Sequence, residues 1–175
     1  MKLVKLTRGQ FAKIDDEDFE RVSKNKWTAS LKETHGYYAI KATYKNKKRG
    51  TCSMHRFIMN ARKSDPAIDH KNGDTLDNRK ENLRFCTQSQ NLQNRRMHKG
   101  NTTGYKGVFL SRTKTMPPRY RAKITANGKR FSSKIYDTKE EAALAYDAMA
   151  SHLHGEFARF NFKDDSVDKK SCNHV

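Results

Sequence analysis

Two runs of alternating residues joined by Asn127-Gly128 constrain this chain more than anything else in it. In RYRAKIT (119–125), Arg119, Arg121 and Lys123 alternate with Tyr120, Ala122 and Ile124. A period of two sorts cations and apolar side chains onto opposite faces of a strand. KRFSSKIY (129–136) is expected to repeat the pattern, with Arg130, Ser132 and Lys134 outward and Phe131, Ser133 and Ile135 inward. Asn-Gly between such runs is a strong hairpin signal, because a type I′ turn needs positive φ at both central residues. YKGVFL (105–110) supplies a third strand. TKEEAALAYDAMASHLHG (138–155) follows as a helix, with a capping box from Thr138 to Glu141 and Gly155 placed to end it. Its expected inward stripe is Ala142, Ala145, Met149 and Leu153. The prediction for this part is a three-stranded antiparallel sheet packed on one helix. Its open face carries Arg119, Arg121, Lys123, Arg130 and Lys134 with no acid among them, whereas a merely solvated face usually mixes signs. Contact with DNA is the favoured reading of that face.

Charge supports it. The chain has formal net charge +18. The excess is +9 over residues 1–62, +3 over 63–100 and +6 over 101–175, so no single tail holds it. A polyanionic partner is implied. No run approaches the ~20 apolar residues of a spanning helix, and MKLVKLTRGQF is broken by charge too early for a signal peptide, so nucleic acid is expected and a membrane is not. Cys52, Cys86 and Cys172 are odd in number and lack C-x-x-C spacing. That argues against a disulfide framework or a zinc ribbon and is simplest in a reducing cytoplasm.

Residues 1–62 read as mixed with a β bias. DDEDFERVSKNKW (15–27) has the charge order of a short helix, and GYYAIKATY, KNKKRG and TCSMHRFIMNA read as strand, turn and strand-to-helix. Trp27, Tyr37, Tyr38 and Phe57 are expected in a core rather than stacked on bases. Thr87 with Gln90 forms another capping box, so a helix should start at Thr87. Gly100 to Gly104 looks like a linker or domain boundary.

Between these lies AIDHKNGDTLDNRKENLRFCT (67–87). Hydrolysing a phosphodiester needs a base for water and a cation for the developing charge. His70 has an ordinary pKa close to neutral pH, and Asp69 and asparagine carbonyls offer the hard oxygens that magnesium takes. Neighbours in a regular strand point to opposite faces, so Asp69 and His70 can share a site only where the strand gives way to a turn, at Lys71–Asp74. Asn91, in the first turns of the following helix, is a further candidate. From these residues alone catalysis remains one possibility, since asparagine clusters commonly serve turns.

The pattern D-H-x-N-G-D-x-x-D-N-x-x-x-N-L-R, followed by S-x-N on a helix, resembles the HNH endonucleases, specifically the phage and intron-homing branch. The resemblance covers roughly residues 54–97. It implies a ββα-metal fold, His70 as general base, Asn82 as the asparagine that holds loop and base, and Asp69 and Asn91 as ligands of one divalent metal. Magnesium is expected there, with manganese able to substitute. His55 and Arg56 lie in M-H-R-F-I, which resembles the family's upstream segment, and receive no role. YKGV, the A-K-I strand, D-T-K-E-E-A-A-L-A-Y-D and H-G-x-x-A-x-x-N-F (154–162) resemble the Apetala-two DNA-binding domain. Phe109, Ser111 and Ser132 stand where plant members place base-contacting Arg or Trp, while Lys106, Arg119 and Arg130 stay basic or near-equivalent. Fold and DNA binding therefore carry over, and the plant target sequence does not.

The expectation is thus an α+β chain in four parts: a basic β-rich region (1–53), an HNH module (54–100), an Apetala-two-type domain (101–162) and a disordered tail (163–175). Expected DNA contacts are Lys106, Arg112, Arg119, Arg121, Lys123, Arg130 and Lys134, with Arg95, Arg96 and Lys99 just along the helix that starts at Thr87. The expected partner is double-stranded DNA, with no small-molecule cofactor, cut by a monomer that nicks, in the cytoplasm of a bacterial host if phage-borne. The competing function is a sequence-specific regulator that binds DNA and uses the HNH fold as scaffold. An RNA-binding protein ranks lower, for want of an aromatic stacking platform.

Overall fold

The computed structural model describes residues 1–32, 36–45, 47–98, 100–111 and 117–162. Arg112, Lys99 and the tail from residue 163 lie outside them. The chain is mixed α and β, with small sheets and few helices, and divides into two compact units, Met1–Asn94 and the remainder from Arg95. No helix among the described residues is long and apolar enough to cross a membrane.

The first unit opens with a hairpin, β1 (Lys2–Lys5) and β2 (Phe11–Ile14), then a 3-10 turn and the short helix α1 (Phe19–Ser23). A three-stranded antiparallel sheet follows: β3 (Thr28–Lys32), β4 (Gly36–Lys45) and β5 (Lys48–Ser53), with β4 central. Helix α2 (Met54–Ile58) leads to an antiparallel pair, β6 (Ala67–His70) and β7 (Leu83–Cys86), and then α3 (Gln88–Gln93). The capping box expected at Thr87 and Gln90 is present in full.

One core runs through this unit. Val4, Ala12, Ile14, Val22, Trp27 and Ala39 share a buried cluster with Met54, Ile58, Ile68 and Leu83. The boundary expected between residues 53 and 54 therefore crosses a single apolar core rather than a linker. Trp27 is buried, its indole N–H donates to the Val22 carbonyl (2.9 Å), and Phe57 meets its ring edge-on. The N-terminal hairpin also grips the loop between β6 and β7. Lys13 N–H donates to the Leu76 carbonyl and Asn78 N–H to the Lys13 carbonyl, both at 2.8 Å. Asp15 accepts from Lys80 N–H at 2.7 Å. Arg56 donates to the carbonyls of Arg62, Asp65 and Pro66, which sets the chain's entry into β6.

In the second unit β8 (Val108–Leu110), β9 (Tyr120–Ala126) and β10 (Lys129–Tyr136) form an antiparallel sheet in that order, and α4 (Lys139–His154) packs on it. Asn127 and Gly128 both have positive φ (50° and 74°), as the predicted turn requires. Ala122, Ile124 and Ala126 are buried between exposed Lys123 and Thr125. The Thr138–Glu141 capping box and the Gly155 stop are as expected.

Three details differ. The buried stripe of α4 is Ala142, Ala143, Tyr146, Ala150 and His154, while Ala145, Met149 and Leu153 pack only partly buried. A bulge in β10 between Ser132 and Ile135 shifts the alternation, so Ile135 pairs with Arg121 and Tyr136 turns to the core beside Val108 and Ala142. An extra residue in one strand reverses which face its successors occupy. The segment from Gly100 to Gly104 is ordered rather than a free linker: the Asn101 carboxamide oxygen accepts from Thr103 N–H (3.0 Å) and Gly104 N–H (2.8 Å). Gly107 sits at φ +72°, where an added Cβ would lie 2.1 Å from the Tyr146 ring. Asn161 ties the far end down, accepting from Lys106 N–H (2.6 Å) and donating to Asp147 (3.1 Å).

Candidate active site

β6 ends at His70, and the chain turns at once: Gly73 N–H donates to the His70 carbonyl (2.8 Å) with φ +72° at Gly73. This is the strand-to-turn position that lets Asp69 and His70 share a site, and both are buried.

Asp69 faces Arg84 across the β6–β7 pair. Arg84 approaches the Oδ2 atom through Nε (3.1 Å) and Nη2 (2.8 Å). Asn94, the residue that caps α3, brings its side-chain amide to Oδ1 (3.1 Å) and Oδ2 (2.9 Å), and also to the His70 carbonyl (3.0 Å). Asn94 therefore pins the end of β6 to the end of α3. Asn91 is exposed, one helical turn earlier, with its backbone N–H bonded to the Thr87 carbonyl (3.0 Å).

Asn78, itself buried, acts on the imidazole in the sense that favours a proton on the ring, and its amide donates to the Leu76 carbonyl (3.1 Å). Nε2 of His70 is buried without a hydrogen-bond partner. Burial pulls the His70 pKa below the ordinary imidazole value; Asn78 and the charges of Asp69, Asp74 and Asp77 oppose that without reversing it. The shift favours the neutral imidazole, and Nε2 has no partner; a neutral ring with a free nitrogen is the state a general base needs.

Asn82 holds the loop rather than the ring. Its carbonyl oxygen accepts from Asn72 N–H (3.0 Å) and its amide donates to the Asp77 carbonyl (2.7 Å). Asp77 is clamped by Arg79 through Nε and Nη2, each at 2.8 Å, which holds its carboxyl below the usual range. Asn82 thus shapes the loop, and Asn78 is the asparagine that acts on the His70 ring. Tyr38 and His55 line the other side of His70, ring against ring.

Among the described residues no three His, Cys, Asp or Glu side chains cluster as a metal cage. The donors available at this site are one carboxylate and asparagine amides. That is a sparse, all-oxygen set of the kind magnesium accepts, because magnesium retains several waters. Asp69 still has acceptor capacity beside Arg84 and Asn94, since a carboxylate offers about four lone-pair sites.

The expected DNA contacts divide. Arg121, Lys123 and Arg130 share the open sheet face: Arg121 pairs with Phe109 and Ile135, Lys123 with Ser132, and Arg130 with Thr125. Arg119 is exposed but ion-paired to Asp137 (3.0 Å), an acid that the alternation did not reveal. Lys134 lies in the bulge, its ammonium 5.3 Å from the Tyr136 ring. Lys106 is half-buried, and burial with Arg159 nearby lowers its pKa to about 8. Arg95 and Arg96 are exposed beyond the end of α3, a helix shorter than expected.

Residues 64–93 match the family model described as HNH endonuclease. An uncharacterized HNH endonuclease of Acanthamoeba polyphaga mimivirus is 32% identical over 159 residues, covering 88% of this chain and 76% of its own. Such a stretch is longer than the first unit, so the likeness continues into the second. Protein 3.8 of Escherichia phage T7 is 37% identical over 93 residues, 53% of this chain and 74% of that protein. No solved structure matches the chain significantly. Both relatives are viral, and one matches across most of both chains. The chain belongs to the HNH endonuclease family.

Proposed function

We propose that the chain is a viral DNA endonuclease of the homing type, in which His70 is the general base. The observation that carries this reading is the buried imidazole, held below its ordinary pKa by that burial, whose Nε2 is left without a partner. Nε2 takes a proton from water as its oxygen attacks phosphorus, and Asn78 steadies the imidazolium that results. HNH nucleases generally use a divalent metal ion; bound here, it would stabilise the charge on the phosphate and the leaving 3′ oxygen.

Asp69 and Asn91 are the proposed ligands, with magnesium the proposed ion. Asn94 donates its amide N–H to Asp69 and to the His70 carbonyl, so its proposed role is to position that carboxylate. Arg84 does the same from β7. The β6–loop–β7–α3 segment corresponds to the proposed ββα-metal module, and the second unit to an Apetala-two-type domain that grips duplex DNA through Arg121, Lys123 and Arg130. One such site per chain favours a monomer that nicks one strand, in the host cytoplasm.

Supercoiled plasmid or phage DNA incubated with the full chain tests this. Nicking that requires magnesium, stops with EDTA and is lost in Asp69→Ala and Asn91→Ala is expected. Cutting that survives EDTA would refute the metal, and full activity in Asn91→Ala would remove that ligand.

A further inference from the structure

His55 takes no part in the proposed chemistry, yet it stands against the base. It is the second residue of α2, and its Nε2 lies 3.0 Å from Ser53 Oγ at the junction of β5 and α2. Its ring is perpendicular to that of His70, with centroids 5.2 Å apart and planes at 88°. Tyr38, on β4, stands edge-on to both, 6.0 Å from His55 and 6.2 Å from His70. These rings come from separate elements and close on one another. Their supports are firm: β4 and β5 are paired through Ile40 and Ser53, and Met54 and Ile58 of α2 are fully buried.

The base needs such a support. The last side-chain torsion of histidine is soft and roughly two-fold. A half-turn would exchange Nδ1 with Cδ2 and Nε2 with Cε1, moving the unpartnered nitrogen to another place. Packed neighbours must fix the plane of the ring.

We propose that His55 is a positioning residue for His70, forming with Tyr38 the aromatic wall that holds the plane of the base and keeps Nε2 directed at the attacking water. The inference rests on reading His70 as the base. Burial pushes the His55 pKa down to about 3, so this wall stays uncharged beside a ring that must accept a proton.

The test uses the full chain with magnesium and plasmid DNA, measuring the single-turnover cleavage rate, DNA affinity and the ¹⁵N resonances of the His70 ring. His55→Ala should slow cleavage by about 10- to 100-fold, as a misdirected reacting group does, with unchanged affinity and a mixed His70 tautomer. His55→Phe restores a flat ring without nitrogens and should recover most of the rate and the wild-type His70 tautomer. A wild-type rate in His55→Ala, or an unchanged tautomer, would overturn the proposal. So would His55→Phe as slow as His55→Ala, which would assign the effect to a ring nitrogen, or a parallel loss of DNA affinity, which would mark a role in folding alone. If His55→Ala does not fold, Tyr38→Leu against Tyr38→Phe makes the same comparison from the opposite wall. His70→Ala cutting at the wild-type rate would instead sink the reading beneath the inference.

Discussion

Removing the Asn78 side chain separates orientation of the base from its presence. Asn78→Ala keeps His70, Asp69 and the backbone bond from Asn78 N–H to the Lys13 carbonyl (2.8 Å). It deletes the carboxamide that favours a protonated imidazole and the donor to the Leu76 carbonyl (3.1 Å). The imidazole becomes an imidazolium as it takes a proton, and a hydrogen bond to a charged group contributes about 1.5–3 kcal/mol. At about 1.4 kcal/mol per decade, single-turnover cleavage should fall roughly 10- to 150-fold. The vacated Leu76 carbonyl costs a further ~1–3 kcal/mol, which appears in thermal stability and not in the rate. Asn78→Asp makes the opposite change: a carboxylate at that position favours the imidazolium and raises the His70 pKa. Its rate should therefore fall further behind wild type at pH 6 than at pH 8, where the base is again free. Quench-flow cleavage of plasmid DNA at both pH values, with affinity measured separately, reads all of this. An Asn78→Ala rate within about threefold of wild type, with affinity unchanged, would refute the orienting bond.

Three other outcomes follow from the structure. Gly107→Ala places a Cβ 2.1 Å from the buried Tyr146 ring at φ +72°, so about 1–2 kcal/mol of left-handed strain adds to ~1–3 kcal/mol of overpacking; a second-unit melting transition as high as wild type would refute it. His55, with a folded pKa near 3 and an ordinary unfolded one, stays neutral when folded and takes a proton when unfolded. Its contribution to stability is present above the unfolded value of about 6.5 and is lost as pH falls below it, by about 1.4 kcal/mol per unit. Urea unfolding between pH 6 and 4 should show that slope, reduced by about one proton in His55→Gln; an identical slope in the variant would contradict it. Arg121→Ala should weaken DNA binding and reduce the salt dependence by about one unit of slope if Arg121 meets a phosphate, and an unchanged slope would remove it from the interface.

Much of the second unit was legible in the sequence because its signals are local. Alternation, Asn-Gly and two capping-box residues each act within a few positions. The β10 bulge was not, because Ser133 and Lys134 carry no mark of a shifted register until Ile135 and Tyr136 are seen against their partners on β9. In the site, Asp69 and His70 announced themselves through chemistry at a strand end. Asn78 and Asn94 did not. Asn78 stands among turn residues whose types do not say which of them reaches back to a ring. Asn94 lies three residues after Asn91 on one helix, so both fall on neighbouring faces, and only the packing of α3 on β6 separates a buried amide from an exposed one. Arg84 required the β6–β7 register, and Tyr38 and His55 required folding of β4 and α2 onto a strand that follows them in sequence. Long-range pairings of this sort leave no periodic trace. For the same reason the N-terminal hairpin reads as a separate lead-in, although its Lys13 holds the loop between β6 and β7.

The central claim is that His70 takes the proton from water. Single-turnover nicking of supercoiled DNA, with magnesium present and both proteins saturated with substrate, compares wild type with His70→Ala directly. The account predicts a rate lower by ~100- to 10,000-fold in the variant, with DNA affinity retained. Equal rates in the two proteins would contradict it.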